Sequence, residues 1–309
     1  MSEPVVQSPE TWPVVTINIL SFNRRDEVRR TLAGLYRELD YPRERFEVIV
    51  VDNASSDGTK EMVRAEFPHV RLIVNDVNTG IAGWNRGFEN GRGDYFLVLD
   101  DDSAPVSGLK EAIRFLQQNP GTGILACRIV GGPFTTGFLT HLQEWSGFIG
   151  CGAIIRKSVI EAVGGFADWL FLYTHEFEFG IRCLDRGIAI KYFADCVVHH
   201  RAAALNRSSR RLVSYSTRNE LLIVNRYFAS RRALFLFRTL VHNLLRQRRE
   251  GFLSMAHVLE GFWMYMRHPV RGVRTYVGRA AQDRYVEGMG TAQPLPTVKS
   301  IFRRRREAR

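Results

Sequence analysis

The chain has 309 residues, 45% of them hydrophobic and 24% charged, with 11 prolines. That composition excludes collagen-like, coiled-coil and intrinsically disordered classes and leaves a folded protein about two average domains long. The net charge of +11 is unevenly placed: residues 1–200 carry 20 basic and 26 acidic side chains, a balance of −6, while residues 201–309 carry 23 and 6, a balance of +17.

Residues 1–12 read as a flexible N-terminus, and Met1–Glu10 has neither the basic cluster nor the apolar stretch of a secretory leader. Strand-length apolar or β-branched runs follow at Val14–Leu20, Phe46–Val51, Val70–Val74, Tyr95–Leu99 and Ile124–Val130. Helical periodicity separates them at Glu27–Leu39, Thr59–Phe67 and Leu109–Gln118. Alternation of this kind predicts an α/β fold, a mainly parallel sheet flanked by helices. Gly131–Ser146 is rich in Gly, Thr and Phe and reads as irregular. Phe148–Ile155 reads as a strand, Lys157–Val163 as a short helix stopped at Gly164-Gly165, and Glu176–Asp185 as a helix ended by Arg186-Gly187. Ile188–Phe193 and Cys196–His199 read as two further strands. Ser214–Tyr227, Arg232–Arg246 and Phe252–Met266 have helical periodicity, and Arg303-Arg304-Arg305-Arg306 lies near the end. The four cysteines, Cys127, Cys151, Cys183 and Cys196, include no CxxC pair and read as buried free thiols.

In parallel sheets the chemistry lies beyond the carboxyl ends of the strands. The residues there are polar: Ser21-Phe22-Asn23-Arg24, then Asp52 to Thr59, then Asn78 to Gly87, then Asp100-Asp101-Asp102. Three adjacent carboxylates repel one another unless a cation compensates them, and hard oxygen ligands suit Mg2+ or Mn2+ completed by a phosphorylated ligand. Asp57 or Thr59 suits the N-cap of the next helix, leaving Asp52 to accept from a base or ribose. The Asn78–Gly87 stretch has neither the GxGxxG nor the Walker spacing, so a dinucleotide or P-loop reading fails.

In order and spacing these motifs resemble the family 2 glycosyltransferases, and the resemblance runs on through Gly150-Cys151-Gly152-Ala153-Ile154-Ile155-Arg156, Val163-Gly164-Gly165-Phe166 and Glu176-Phe177-Glu178-Phe179-Gly180-Ile181-Arg182. Tyr215-Ser216-Thr217-Arg218-Asn219 further resembles the bacterial rhamnosyltransferase-like branch. The resemblance implies a GT-A fold over residues 13–210, with a nucleotide-binding half at 13–103 and an acceptor half at 104–210. Residues 211–309 would then form a basic amphipathic helical extension. It implies nucleotide-sugar contacts by Ser21, Asn23, Asp52, Asn78, Gly80, Asn85, Asp100, Asp101 and Arg182. Asp100 and Asp102 would hold the metal together with a histidine, His200 or His199, of which strand alternation turns only one inward. His175-Glu176 stands where the family has a Glu-Asp pair, which makes Glu176 the general base. Trp169 is the candidate for stacking on an acceptor sugar.

The implied function is an inverting, metal-dependent transfer of a sugar from a UDP- or dTDP-sugar to a hydroxyl of a glycan or lipid-linked acceptor in bacterial cell-surface polysaccharide synthesis. A nucleotidyltransferase and a non-catalytic nucleotide-sugar-binding membrane scaffold are the alternatives. Arginines interleaved with bulky apolar residues beyond 211 predict membrane-surface binding rather than nucleic-acid binding. No uncharged apolar run approaches the ~20 residues of a membrane span. The expected place is therefore cytoplasmic, on the inner face of the plasma membrane, with oligomerisation open.

Overall fold

The structure, a computed structural model, describes residues 12–132, 135–201 and 208–292. The N-terminal segment before Trp12 and the arginine run at 303–306 lie outside the described residues.

Strands β1 (Val15–Ser21), β2 (Phe46–Asp52), β3 (Arg71–Val74) and β4 (Tyr95–Asp100) are parallel, connected through helices α1 (Arg25–Glu38), α2 (Thr59–Glu66) and α3 (Gly83–Asn90). The chain continues through β5 (Ser103–Ser107), α4 (Leu109–Gln118), β6 (Thr122–Val130), β7 (Ala153–Arg156), α5 (Lys157–Val163), α6 (His175–Asp185) and β8 (Ala189–His200). These strands form one sheet in the order β3-β2-β1-β4-β7-β6-β8-β5. Pairing between β6 and β8 is parallel, whereas β4–β7, β6–β7 and β5–β8 are antiparallel. The mainly parallel α/β sheet expected from the alternating pattern is present. Among the described residues four α-helices follow, α7 (Ser209–Tyr227), α8 (Arg232–Gln247), α9 (Phe252–Met266) and α10 (Arg279–Ala292).

Period-two alternation divides the core between the faces of the sheet. On β4, Phe96 and Val98 join one buried cluster with Trp84, Phe148 and Phe179, while Tyr95, Leu97 and Leu99 join the other with Leu32, Leu109 and Ile113. Ile223, Tyr227 and Phe228 of the α7 end, with Ala281 and Tyr285 of α10, belong to the first of these clusters. The boundary expected at residue 210 therefore does not separate two cores.

Several elements depart from their predicted form. The two strands expected at 188–199 are one strand, β8, whose register against β6 jumps between Phe193 and Val197. The strand expected at Phe148–Ile155 begins only at Ala153. Its first half is a turn closed by Gly152 N–H donating to the Ile149 carbonyl at 3.0 Å. Helix α3 was unforeseen because Gly83 and Gly87 argue against a helix interior. Gly87 is needed for packing there: a Cβ at that position would lie 2.0 Å from Asn18 Oδ1. Strand β5, short and containing Pro105, and α10 also escaped the pattern. The helix stops were legible, since Gly164 and Gly187 follow α5 and α6 with φ of 80° and 69°.

Candidate functional site

Strand order reverses at β1, with β2 on one side and β4 on the other, and such a switch point opens a crevice at the carboxyl ends of the strands. Register brings the polar residues together there, pairing Ser21 with Asp52 and Leu20 with Asp100. Ser21 and Asp52 are buried. Asn23, at φ 54°, ties two loops: its Oδ1 accepts from Ser56 N–H at 2.7 Å and its N–H donates to Ser55 Oγ at 2.9 Å. Asp52 Oδ2 accepts from Ser55 N–H at 3.1 Å, and its Oδ1 is buried with no partner among the described residues. Asp57 accepts from the Thr59 and Arg25 N–H groups beside the start of α2, but the N-cap position is Gly58, at φ 84°, rather than Asp57 or Thr59.

Asn53, which the sequence did not single out, organises the next loop. Its amide donates to Asn78 Oδ1 and the Gly80 carbonyl, and its Oδ1 accepts from Asn75, from Thr79 N–H and from the Thr79 hydroxyl. Asn78 and Gly80, expected on the nucleotide sugar, are thereby occupied in holding the turn. A Cβ on Gly80 would lie 2.0 Å from the Phe171 carbonyl oxygen. Asn85 grips the Phe166 backbone in both directions, donating to the carbonyl and accepting from the N–H, each at 2.8 Å.

The acidic triplet follows β4. Thr31 and Arg201 donate to the Asp101 carbonyl, and Arg201 N–H donates to the Asp102 carbonyl, so the backbone is fixed. Arg24 Nη1 stands 2.7 Å from Asp102 Oδ2 and 3.3 Å from Asp101 Oδ1. Burial raises the Asp101 carboxyl to about 8 against the opposing pull of Arg24, so the strong ion pair is that with Asp102. The antiparallel pairing of Ser103 with His200 brings β8 alongside. His200 is buried, with Nε2 3.2 Å from Asp102 Oδ1 and 3.9 Å from Asp100 Oδ2, whereas His199 is exposed. Of the described residues, Asp100, Cys151 and His200 place one oxygen, one sulfur and one nitrogen atom within 4.8 Å of one another, a donor set that fits a divalent cation. Asp102, expected as a ligand, is fully buried between Arg24 and His200, and Cys151 is the third member of that group. Burial pushes the Cys151 thiol well above its ordinary range, with Asp100, Asp102 and Glu176 adding to the rise.

Glu176 begins α6 on the other side of Cys151. Its Oε1 accepts from Gly150 N–H at 3.0 Å, and Oε2 lies 3.3 Å from His175 Nδ1. His175 itself is a core residue, stacked on Trp84 with centroids 5.5 Å apart and edge-on to Phe166 at 4.9 Å. Burial lowers its pKa, so the ring is held neutral. Arg182 binds both oxygens of fully buried Glu178 and the carbonyls of Val163 and Gly165. The Tyr227 hydroxyl also donates to Glu178, tying α7 to α6. Trp169, expected on the acceptor, packs against the core with Arg226 5.3 Å from its ring centre. Arg218 and Asn219 donate to the carbonyls of Leu170, Leu172 and Tyr173. Cavities of 230 Å³ beside Trp145 and Arg284 and of 370 Å³ beside Asn119 and Lys191 contain none of the crevice residues.

Residues 16–167 match the family model described as glycosyl transferase family 2. The chain is 26% identical over 214 residues to glycosyltransferase AglE of Haloferax volcanii, spanning 62% of this chain and 68% of that protein. It is 20% identical over 244 residues to a dolichyl N-acetyl-alpha-D-glucosaminyl phosphate 3-beta-D-2,3-diacetamido-2,3-dideoxy-beta-D-glucuronosyltransferase of Methanococcus voltae, over 69% of this chain and 75% of that one. A solved mannosyltransferase from Pyrobaculum calidifontis, in complex with GDP-Man and Mn2+, superposes with a TM-score of 0.57 at 17% identity, covering 97% of this chain and 90% of that one. By this fold, this strand-end crevice and these likenesses, the chain is a glycosyltransferase of GT-A fold whose residues 16–167 form a glycosyl transferase family 2 domain.

Proposed function

We propose that the chain is an inverting, metal-dependent glycosyltransferase that moves a sugar from a nucleoside diphosphate donor to a hydroxyl of a glycan or lipid-linked acceptor in the assembly of a surface polysaccharide. The observation that carries this reading is the placing of two kinds of group on either side of residues 150–151. Asp100 and His200 lie on the side of the strand ends, and Glu176 lies beyond Gly150, bonded to its N–H.

In this reading Asp52 accepts from the base or ribose through its buried Oδ1. Asp100 and His200 would hold a divalent cation, which when bound would supply positive charge to the leaving diphosphate. Glu176, oriented by Gly150 N–H, takes the acceptor proton as the hydroxyl attacks the anomeric carbon from the face opposite the leaving group, which inverts that centre. Neutral His175 leaves the negative charge on Glu176 uncompensated by an imidazolium. The donor and metal of the Pyrobaculum enzyme, GDP-Man and Mn2+, and the lipid phosphate in the name of the Methanococcus relative support the donor and acceptor classes.

The membrane reading is supported by the outer faces of α8 and α9. Leu234, Phe237 and Leu245 form one exposed stripe and Phe252, Leu259, Trp263 and Met266 another, with Phe252 86% exposed. Arg238, Arg248, Arg249 and Arg267 are exposed beside them. No helix among the described residues is long and apolar enough to cross a membrane, and α9, with 15 residues, reaches only ~22 Å. A pair of such helices lies in an anionic interface rather than through it.

The test is Glu176→Gln, assayed for sugar transfer and for nucleotide binding. Turnover should fall by ~10²–10⁴ while donor binding is kept; full turnover in the variant removes Glu176 from the role of base.

A further inference from the structure

We propose that Cys151 supplies a sulfur ligand to the divalent-cation site, so that the ion is held by Asp100, Cys151 and His200 and softer ions are selected over magnesium. This deepens the reading that a cation sits beside the acidic triplet and rests on it.

Backbone pairing makes the juxtaposition. Strands β4 and β7 pair antiparallel from Tyr95 opposite Arg156 to Val98 opposite Ala153, so that Asp100 and Cys151 each lie two residues beyond the last pair, where their ligand atoms come within 4.8 Å. Strand β5 pairs with β8 so that Ser103, three residues beyond Asp100, faces His200. Three chain segments far apart in sequence thus meet at one point, and a pattern read along the sequence does not show it. The Cys151 turn is itself fixed, by the Gly152 to Ile149 bond on one side and the Gly150 to Glu176 bond on the other.

The distances suit one ion. Metal–ligand bonds of about 2.0 to 2.3 Å keep any two ligand atoms within about 4.6 Å of each other. The three atoms here lie within 4.8 Å, so a side-chain shift of a few tenths of an ångström closes the site. Arg24, 2.7 Å from Asp102, already places a positive charge on the third carboxylate, which moves the best position for a second cation toward Asp100 and the sulfur. When the ion binds, the S–H bond of Cys151 breaks, its proton passes to water, and the electron pair left on Sγ forms the metal–sulfur bond. A set of one oxygen, one nitrogen and one sulfur favours zinc and cobalt, then manganese, whereas magnesium favours oxygens in octahedral array.

The experiment titrates the full chain and Cys151→Ser with Co2+ alone, without nucleotide, and follows near-ultraviolet sulfur-to-cobalt charge-transfer absorption. Wild type should develop the band and Cys151→Ser should not. Competition with Zn2+ should show wild type binding about tenfold or more tightly than the variant, with Mg2+ affinity much less changed. A thermal melt checks that the variant is folded, and Cys151→Ala takes its place if it is not. Equal Co2+ spectra in the two proteins, or no Co2+ binding to wild type, overturn the proposal. Loss of sugar transfer in a wild type that shows the band overturns the glycosyltransferase mechanism instead and leaves the ligand assignment standing.

Discussion

Asn53 and His175 show how much of the crevice is held by side chains that do no chemistry. Asn53 satisfies five partners across the Asn75–Gly80 loop, so Asn53→Ala strands several buried groups at once. We expect it to lower unfolding stability by about 3 kcal/mol, measured as a shift in denaturant midpoint. His175 sits neutral among Trp84 and Phe166, its pKa lowered by burial. The unfolded chain takes up a proton as pH falls below about 6.5 that the folded chain does not, so stability is full above that pH and declines below it. His175→Phe should flatten the acid side of a melting-temperature profile; an unchanged slope would show that other groups cause the decline. The aligned carboxylates Asp52 and Asp100 were legible in the sequence because they end apolar runs. The tasks of Asn85, Gly80 and Arg182 were not, since each binds a backbone carbonyl or packs against one more than 15 residues away along the chain.

Among the elements, those made by local pattern were legible and those made by contact were not. Strands β1, β2 and β4 carry continuous buried runs, and α1, α4 and α6 carry clear apolar faces. Helix α3 instead depends on two glycines that let it lie against β1, and the Phe148–Gly152 turn depends on its bond to α6. The approach of the Gly80 turn to the Phe171 carbonyl is of the same kind, reinforced by Ile81 N–H donating to that oxygen at 2.7 Å. Gly80→Ala meets both that oxygen and a φ of 62°, and should cost about 3 kcal/mol or more in unfolding experiments. Retention of the wild-type midpoint would mean that the two loops separate without penalty.

For the molecule as a whole, the division into an acidic body and a basic remainder follows charge but not packing. Helices α7 and α10 bury Ile223, Phe228 and Tyr285 in the same cluster as Phe148 and Phe179. Deleting residues 211–309 should therefore yield insoluble or unfolded chain, read by circular dichroism and solubility, rather than a working catalytic domain. Surface substitutions are the way to test the membrane face. Phe237→Ser, Phe252→Ser and Trp263→Ser combined should lower co-sedimentation with anionic vesicles about tenfold or more while leaving the melting temperature within a few degrees. Binding should also weaken with added salt, because the arginine contribution is screened. Unaltered vesicle binding by the triple variant would assign the outer stripes to a protein neighbour.

The hydroxyl of Tyr227 on Glu178, two residues along α6 from Glu176, joins the arginine-rich helices to the helix that carries the acceptor-side carboxylate. On the proposed membrane reading, the attitude of α8 and α9 on a bilayer would be handed to Glu176 through this polar joint and the apolar cluster that α7 and α10 share with α6. The height of the carboxylate above the lipid plane would then be a fixed property of the molecule. An acceptor hydroxyl would be chosen by how far it stands from its lipid as well as by its shape, so that the fold would act as a ruler for the growing chain.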